Sequence, residues 1–398
     1  MTDSVCPACG GTDLRPMVDF GELPVTGVFL SNPTQPYPKR KLAFNYCGCC
    51  ACVMQVRSAT QGADYSEVDR STQRQFPNYA DEIVADLLKL CSTKQDLLIE
   101  VGSNDGTFMQ HLRDAGIENM LGIEPSRSLA EHSRRNGHHI ENMPLDEEAS
   151  RNIYALHGPA KVVVCRHTLE HVPDPFSFVK ALRGLLKSDG LLFIEVPSSA
   201  PIIDSRLHAY ELWDEHLSYF SESNLASILE RAGWAIRSIE TRPHCGSENI
   251  LCWAELADYK SDWTPTNRAE KNVEGCESFA IRWRGFSESL RTKINKLPRP
   301  LYAMGASHPQ TNFLHFIGIM DAVEGLFDDD PFKRGKWVPA NKPVPVLASE
   351  KIGDYAIDGS VMLTGFGYPN WMSSVQHSHI DMNICFLACD LSNAARYG

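Results

Sequence analysis

The segment Tyr210-Glu211-Leu212-Trp213-Asp214-Glu215-His216-Leu217-Ser218-Tyr219-Phe220-Ser221 sets one histidine beside two neighbouring carboxylates and among aromatic rings. Imidazole titrates near neutral pH, so His216, oriented by Glu215, suits the removal of a carbon-bound proton made acidic by an adjacent ketone. The bland alternative makes Trp213, Tyr219 and Phe220 core and the charged residues a solvated turn. A second group, Arg166-His167-Thr168-Leu169-Glu170-His171, places His167 at a cofactor edge and His171 towards a substrate, although both also suit a hydrogen-bonded helix cap. A third is the turn Gly102-Ser103-Asn104-Asp105-Gly106, followed by the acid Glu124. The fourth is a set of thiols: Cys6 and Cys9 form one C-x-x-C, and Cys47, Cys49, Cys50 and Cys52 offer two more.

Each group needs an element to hold it. Leu97, Leu98, Ile99 and Val101 form a short apolar run of the kind that fills a buried parallel strand, and the glycine turn follows at once. Thr107 to Asp114 continues as a helix ended by Gly116, and Leu121 to Ile123 is a second strand finishing at Glu124. Strand, glycine turn, helix and a carboxylate about twenty residues on is the plan of a doubly wound nucleotide site, with the acid accepting from ribose hydroxyls. The turn is not G-x-G-x-x-G, and Asp105 inside it repels a diphosphate. A ligand with a sulfonium and an ammonium group fits better, which favours S-adenosylmethionine over NAD, lined by Gly102, Ser103, Asn104 and Asp105 and held at the ribose by Glu124.

Further strands are expected at 138–141, 162–165 and 191–196, with helices at 127–136, 146–156 and 176–186 and a turn at Ser188-Asp189-Gly190. This alternation means a parallel sheet with ligands at the strands' carboxyl ends, which gathers the glycine turn, Glu124, Arg166 to His171 and Glu195 around one crevice. After a polar boundary at 258–267, a helix over 268–295 leads to a second α/β layer, whose first strand, Leu301 to Met304, ends in the small-residue turn Gly305-Ala306-Ser307. Three domains are expected: 1–75, 76–257 and 258–398.

Two C-x-x-C units about forty residues apart predict a structural zinc site, closed by four thiolates with no position left for substrate. Spacing alone allows Cys47 with Cys50 or Cys49 with Cys52 beside Cys6 and Cys9. Leu42 and Phe44, alternating into Cys47 like a strand feeding a knuckle, favour the first pair. The remaining cysteines, Cys91, Cys165, Cys245, Cys252, Cys276, Cys385 and Cys389, lie singly in apolar surroundings and are expected in the core.

The composition, 43% hydrophobic and 22% charged over 398 residues, is that of a globular protein large enough for two or three cores. A net charge of −12 opposes nucleic acid or an anionic membrane as main partner. The N-terminus lacks the basic start and apolar core of a signal peptide, so a cytoplasmic location with reduced thiols is expected. No oligomeric state is legible.

Taken together, EVGSNDGTF, HVPDP, EVP, EHLSYFS and HCGSEN resemble, in order and spacing, the zinc-containing sugar C-methyltransferases that act on dTDP-linked keto-deoxysugars. The resemblance covers nearly the whole chain. It implies a Rossmann-like class I methyltransferase domain, an N-terminal zinc module and a C-terminal α/β domain near the nucleotide end of the substrate. It also implies that His216 is the base, with Glu215 its neighbour and His171 in the substrate pocket. The chain departs from the family's Tyr-His-Glu-His motif, with Trp213 for the tyrosine and Asp214 for the first histidine, and the turn at 306–310 lacks the family's lysine. These departures leave open a methyltransferase acting on O or N of a different small metabolite; the alternative from another class is a non-catalytic binding or assembly protein that retains the fold and the zinc module.

Overall fold

The computed structural model describes residues 5–57, 76–77, 79–244, 247–257, 269–355, 359–363 and 383–386. The chain forms two compact units, each drawn from separate stretches: 1–15, 46–199 and 217–273 in the first, 16–45, 200–216 and 274–398 in the second. This division runs differently from three consecutive domains. The cysteine knuckles group with the central sheet and residues 16–45 with the C-terminal half, because the chain returns to earlier elements that composition along the sequence does not reveal.

Seven strands, numbered within this sheet, organise the first unit: β1 Leu98–Val101, β2 Met120–Ile123, β3 Ile140–Glu141, β4 Ala160–Arg166, β5 Leu186–Pro197, β6 Trp234–His244 and β7 Ser247–Leu256. Their order is β3-β2-β1-β4-β5-β7-β6, with β7 antiparallel to both neighbours and the other adjacent pairs parallel. The order reverses between β1 and β4. The crevice outside their carboxyl ends is therefore the ligand position of a doubly wound sheet. Leu98, Ile99, Val162, Val163 and Val164 are fully buried, as strands covered on both faces require. Each such side chain contributes about 1.5–3 kcal/mol of transfer free energy.

Six helices of this unit, numbered likewise, are α1 Ala80–Leu90, α2 Thr107–Asp114, α3 Arg127–Arg135, α4 Glu147–His157, α5 Pro175–Arg183 and α6 Glu222–Arg231. Their starts are written in the sequence. Asp146 accepts from Ala149 N–H at 2.7 Å, Asp174 accepts from Ser177 N–H at 3.1 Å with Pro175 at the first helical position, and Ser221 forms a capping box with Asn224. One expected turn is absent: Ser188-Asp189-Gly190 lies inside β5. Leu186 pairs with Ala160 and Leu191 with Val162, so the extra residues are absorbed as an irregularity in a continuing strand.

In the second unit, six strands lie in the order Trp337–Val338, Val344–Leu347, Gly325–Phe327, Leu301–Met304, Ser360–Leu363, Asn383–Phe386, parallel except for the first pair. The turn after Leu301–Met304 leads into the helix His308–Phe316. Aromatic packing supports this unit, with Phe20 stacked on Phe316 at 3.8 Å and edge-on to Trp283 at 6.2 Å. Cys91, Cys165, Cys252 and Cys276 are buried as expected. Cys245, Cys389, the Cys385 side chain and the boundary at 258–267 lie outside the described residues. No helix among the described residues is long and apolar enough to cross a membrane.

Candidate active site

The glycine turn after β1 folds back on itself. Gly102, Asn104 and Gly106 have φ of +77°, +51° and +83°, the left-handed region that glycine and asparagine tolerate best. Every N–H of the turn already has an acceptor within the protein. Gly102 and Ser103 donate to Ile123 O at 2.8 and 3.2 Å, Asn104 to Glu124 Oε2 at 2.8 Å, Asp105 to Asn104 Oδ1 at 2.7 Å and Gly106 to Ser103 O at 3.0 Å. A pyrophosphate cradle presents such groups to its ligand, and this turn has none unengaged. It suits a cationic ligand instead. Asp105 accepts from Thr107 N–H and hydroxyl at 3.0 and 2.6 Å, which starts α2. The Ser103 hydroxyl is buried against Gly122, where a Cβ would lie 2.6 Å from it, so this side chain is turned into the protein.

Glu124 directly follows β2, 6% exposed, and its second oxygen accepts from Ser126 N–H at 2.8 Å. A carboxylate at the end of the second strand of such a unit is the group that accepts from ribose hydroxyls. A Cβ at Gly102 would collide with the Thr168 side chain, its Cγ2 2.9 Å away. Gly102→Ala should therefore cost about 1–3 kcal/mol through left-handed strain and overpacking. A thermal melt with S-adenosylhomocysteine titration checks this; an unchanged melting temperature and affinity would contradict the tight fit.

The ends of β4 and β5 carry a buried polar hub. Glu195, 1% exposed, accepts from Tyr79 OH at 2.5 Å, Asn249 Nδ2 at 3.0 Å and Arg166 Nε at 2.6 Å. His167, with φ +48°, has Nδ1 3.6 Å from Glu170 and Nε2 3.6 Å from Glu195. Burial lowers the His167 imidazole, but the Glu195 and Glu170 carboxylates outweigh it, so its pKa is raised. Burial likewise raises Glu195, yet Arg166, His167 and Tyr79 hold it well below the usual carboxylate range. An ionised Glu195 therefore fixes four groups at the crevice. His171 ends the short 3-10 turn Leu169–His171 that follows. Tyr79 and Asn249 went unassigned in the sequence; the available signal was one acid in the otherwise apolar run LLFIEVP, which demands buried partners.

His216 and Glu215 lie in the second unit, both half-buried. There the Trp213 ring meets His216 edge-on at 4.8 Å and stacks on His308 at 4.2 Å. The two departures from the family pattern, tryptophan for tyrosine and a lysine-less turn, are thus in direct contact. Asp214 is 4% exposed, 3.6 Å from Arg40 and bonded by Thr26 N–H at 3.3 Å, so it is a buried ion-pair partner within this unit. Ala306 N–H donates to Asp328 at 2.7 Å, repeating the turn-to-acid bond of Asn104 and Glu124. Lys333 pairs with the same Asp328 at 3.1 Å and Arg334 with Asp329 at 3.1 Å.

The thiols converge in the first unit. The sulfurs of Cys6, Cys9, Cys47 and Cys50 all lie within 4.8 Å of one another, with Cys6–Cys50 and Cys9–Cys47 both at 3.5 Å. A tetrahedral site with metal–sulfur bonds of about 2.3 Å sets its sulfurs about 3.8 Å apart, so this donor set fits zinc. Both knuckles turn through a left-handed residue after their second thiol, Gly10 at φ +75° and Ala51 at φ +59°. Hydrogen bonds from Cys50 and Cys6 pull the Cys47 thiol down to about 6, whereas its partners push Cys50 up. Cys49 is exposed, and Cys52 is buried with its thiol on Tyr219 O at 3.7 Å.

Residues 72–239, which hold the turn, Glu124 and all of the hub except Asn249, match the model of a family described as a methyltransferase domain. The chain carries an S-adenosylmethionine-dependent methyltransferase domain. Over 382 residues it is 26% identical to the C-methyltransferase NovU of Streptomyces niveus, covering 90% of this chain and 89% of that one. It is 32% identical over 121 residues to a ubiquinone biosynthesis O-methyltransferase of Actinobacillus pleuropneumoniae, covering 29% of this chain and about half, 49%, of that relative. A solved structure of the CcbJ methyltransferase from Streptomyces caelestis matches 46% of this chain and 88% of its own at 15% identity, with a TM-score of 0.36. The sheet order of the methyltransferase domain, with its single antiparallel strand second from the edge, is the class I Rossmann-like arrangement.

Proposed function

We propose that the protein is a C-methyltransferase acting on a nucleotide-linked, dTDP-type keto-deoxysugar. The observation that carries this reading is the similarity to a C-methyltransferase over 90% of the chain, which takes in both units rather than the methyltransferase domain alone. When bound, S-adenosylmethionine supplies an electrophilic methyl group already activated by positive sulfur. Glu124 accepts from its ribose hydroxyls, and the turn Gly102 to Asp105 lines its cationic end. His216 takes the proton from the carbon beside the ketone, leaving an enolate whose carbon is the nucleophile. Glu215 orients His216 and holds its charge, and His171 belongs to the acceptor pocket. Positioning along the line of transfer supplies the rest. Cys6, Cys9, Cys47 and Cys50 hold a structural zinc, which closes its shell with four thiolates and leaves no open position for chemistry.

The Trp213–His308 stack favours a second reading, methylation of O or N on another small metabolite, since it fills the place where the family has a phenol and a lysine. Calorimetry separates the two. Binding of both S-adenosylhomocysteine and thymidine diphosphate is the expected result. Binding of the first alone moves the acceptor away from nucleotide sugars, and binding of neither removes the enzyme reading.

A further inference from the structure

Arg166, at the carboxyl end of β4, is held at one end only. Its Nε donates to Glu195 Oε2 at 2.6 Å, and its guanidinium carbon lies 4.2 Å over the ring of Phe108 on α2. The plane is thereby locked between a buried carboxylate and an aromatic face. The side chain is 11% exposed, yet neither Nη1 nor Nη2 makes a hydrogen bond among the described residues. These two nitrogens are not among the enclosed polar atoms, so they stay open to a ligand, and a guanidinium fork matches a carboxylate bidentately. A preoriented fork with unengaged donors at a ligand crevice calls for an anion.

The surrounding charges say which anion. Asp105, Glu124, Glu170 and Glu195 make the crevice acidic, so a ligand that is anionic overall is disfavoured. His167 already faces two carboxylates. S-adenosylmethionine carries two positive groups and one carboxylate, and Arg166 is the cation at the ends of β1, β2, β4 and β5 whose donors are not engaged among the described residues. We propose that Arg166 binds the amino-acid carboxylate of S-adenosylmethionine through Nη1 and Nη2, with Glu195 and Phe108 acting as positioning residues that fix the guanidinium plane. The assignment rests on the cofactor's identity and extends to a residue the sequence left without a role.

Two probes that differ at that carboxylate test it. S-adenosylhomocysteine has the amino-acid end, and 5′-methylthioadenosine shares the adenosyl thioether without it. Calorimetry on the full chain compares Glu195→Gln with the double variant Arg166→Met, Glu195→Gln, a background that avoids stranding a buried carboxylate. The double variant should bind S-adenosylhomocysteine at least about tenfold more weakly while its affinity for 5′-methylthioadenosine holds within about twofold. Arg166→Lys should keep part of the first affinity. Equal losses for both ligands, or no loss for either, would overturn the proposal. Failure of the unmodified protein to bind either ligand would overturn the cofactor assignment itself, and the proposal with it.

Discussion

Replacing His216 by alanine should lower kcat by about 10²–10⁴-fold, the contribution expected of a positioned general base. Its affinity for S-adenosylhomocysteine should stay unchanged, because the cofactor contacts named above all come from β1, β2, β4 and their turns. Glu215→Gln should lose less, since it removes the charge that steadies the imidazole but leaves the base in place. The Trp213 ring, edge-on to His216 at 4.8 Å, limits the rotation of the imidazole, so Trp213→Ala should also lower kcat. Single-turnover methyl transfer, alongside calorimetry, measures both quantities. A His216→Ala enzyme with full turnover would remove this histidine from the mechanism, and one that has lost cofactor binding would mark it as structural.

Cys50→Ser should release the metal and lower stability by about 3 kcal/mol or more, a fraction of the roughly 10–16 kcal/mol that a structural zinc supplies to isolated finger peptides. The loss should spread into the methyltransferase domain. Asn224 on α6 donates to Cys50 O at 2.5 Å, and Arg231 on the same helix donates to Pro7 O at 3.0 Å and Ala8 O at 2.5 Å, so both knuckles are tied to a helix of the central sheet. Elemental analysis should find one zinc per chain in the unmodified protein and none in Cys50→Ser, with a lowered melting temperature. Cys49→Ser, at an exposed thiol outside the four-sulfur cluster, should keep both metal and melting temperature. Metal loss in Cys49→Ser with retention in Cys50→Ser would instead assign the site to the other pair.

Local signals carried most of the methyltransferase domain. A mostly apolar run such as Leu97 to Val101 states a buried strand by itself, and Gly106, Asp146, Asp174 and Ser221 mark turns and helix starts through bonds spanning only a few residues. The acid at Glu124 was legible because the strand–turn–helix–strand unit sets its distance along the chain. What the sequence could not decide was every pairing across long separations. Glu195 meets Tyr79 and Asn249, 116 and 54 residues away, only because α1 and β7 are brought to the end of β5, and nothing near Tyr79 announces that contact. Cys47 and Cys49 share one spacing rule; the left-handed turn at Ala51 and the approach of Cys6 and Cys9 distinguish them in space. Residues 16–45 group with the C-terminal half for the same reason, since the burial that holds Phe20 against Trp283 and Phe316 is non-directional and leaves no periodic mark at either end of the chain.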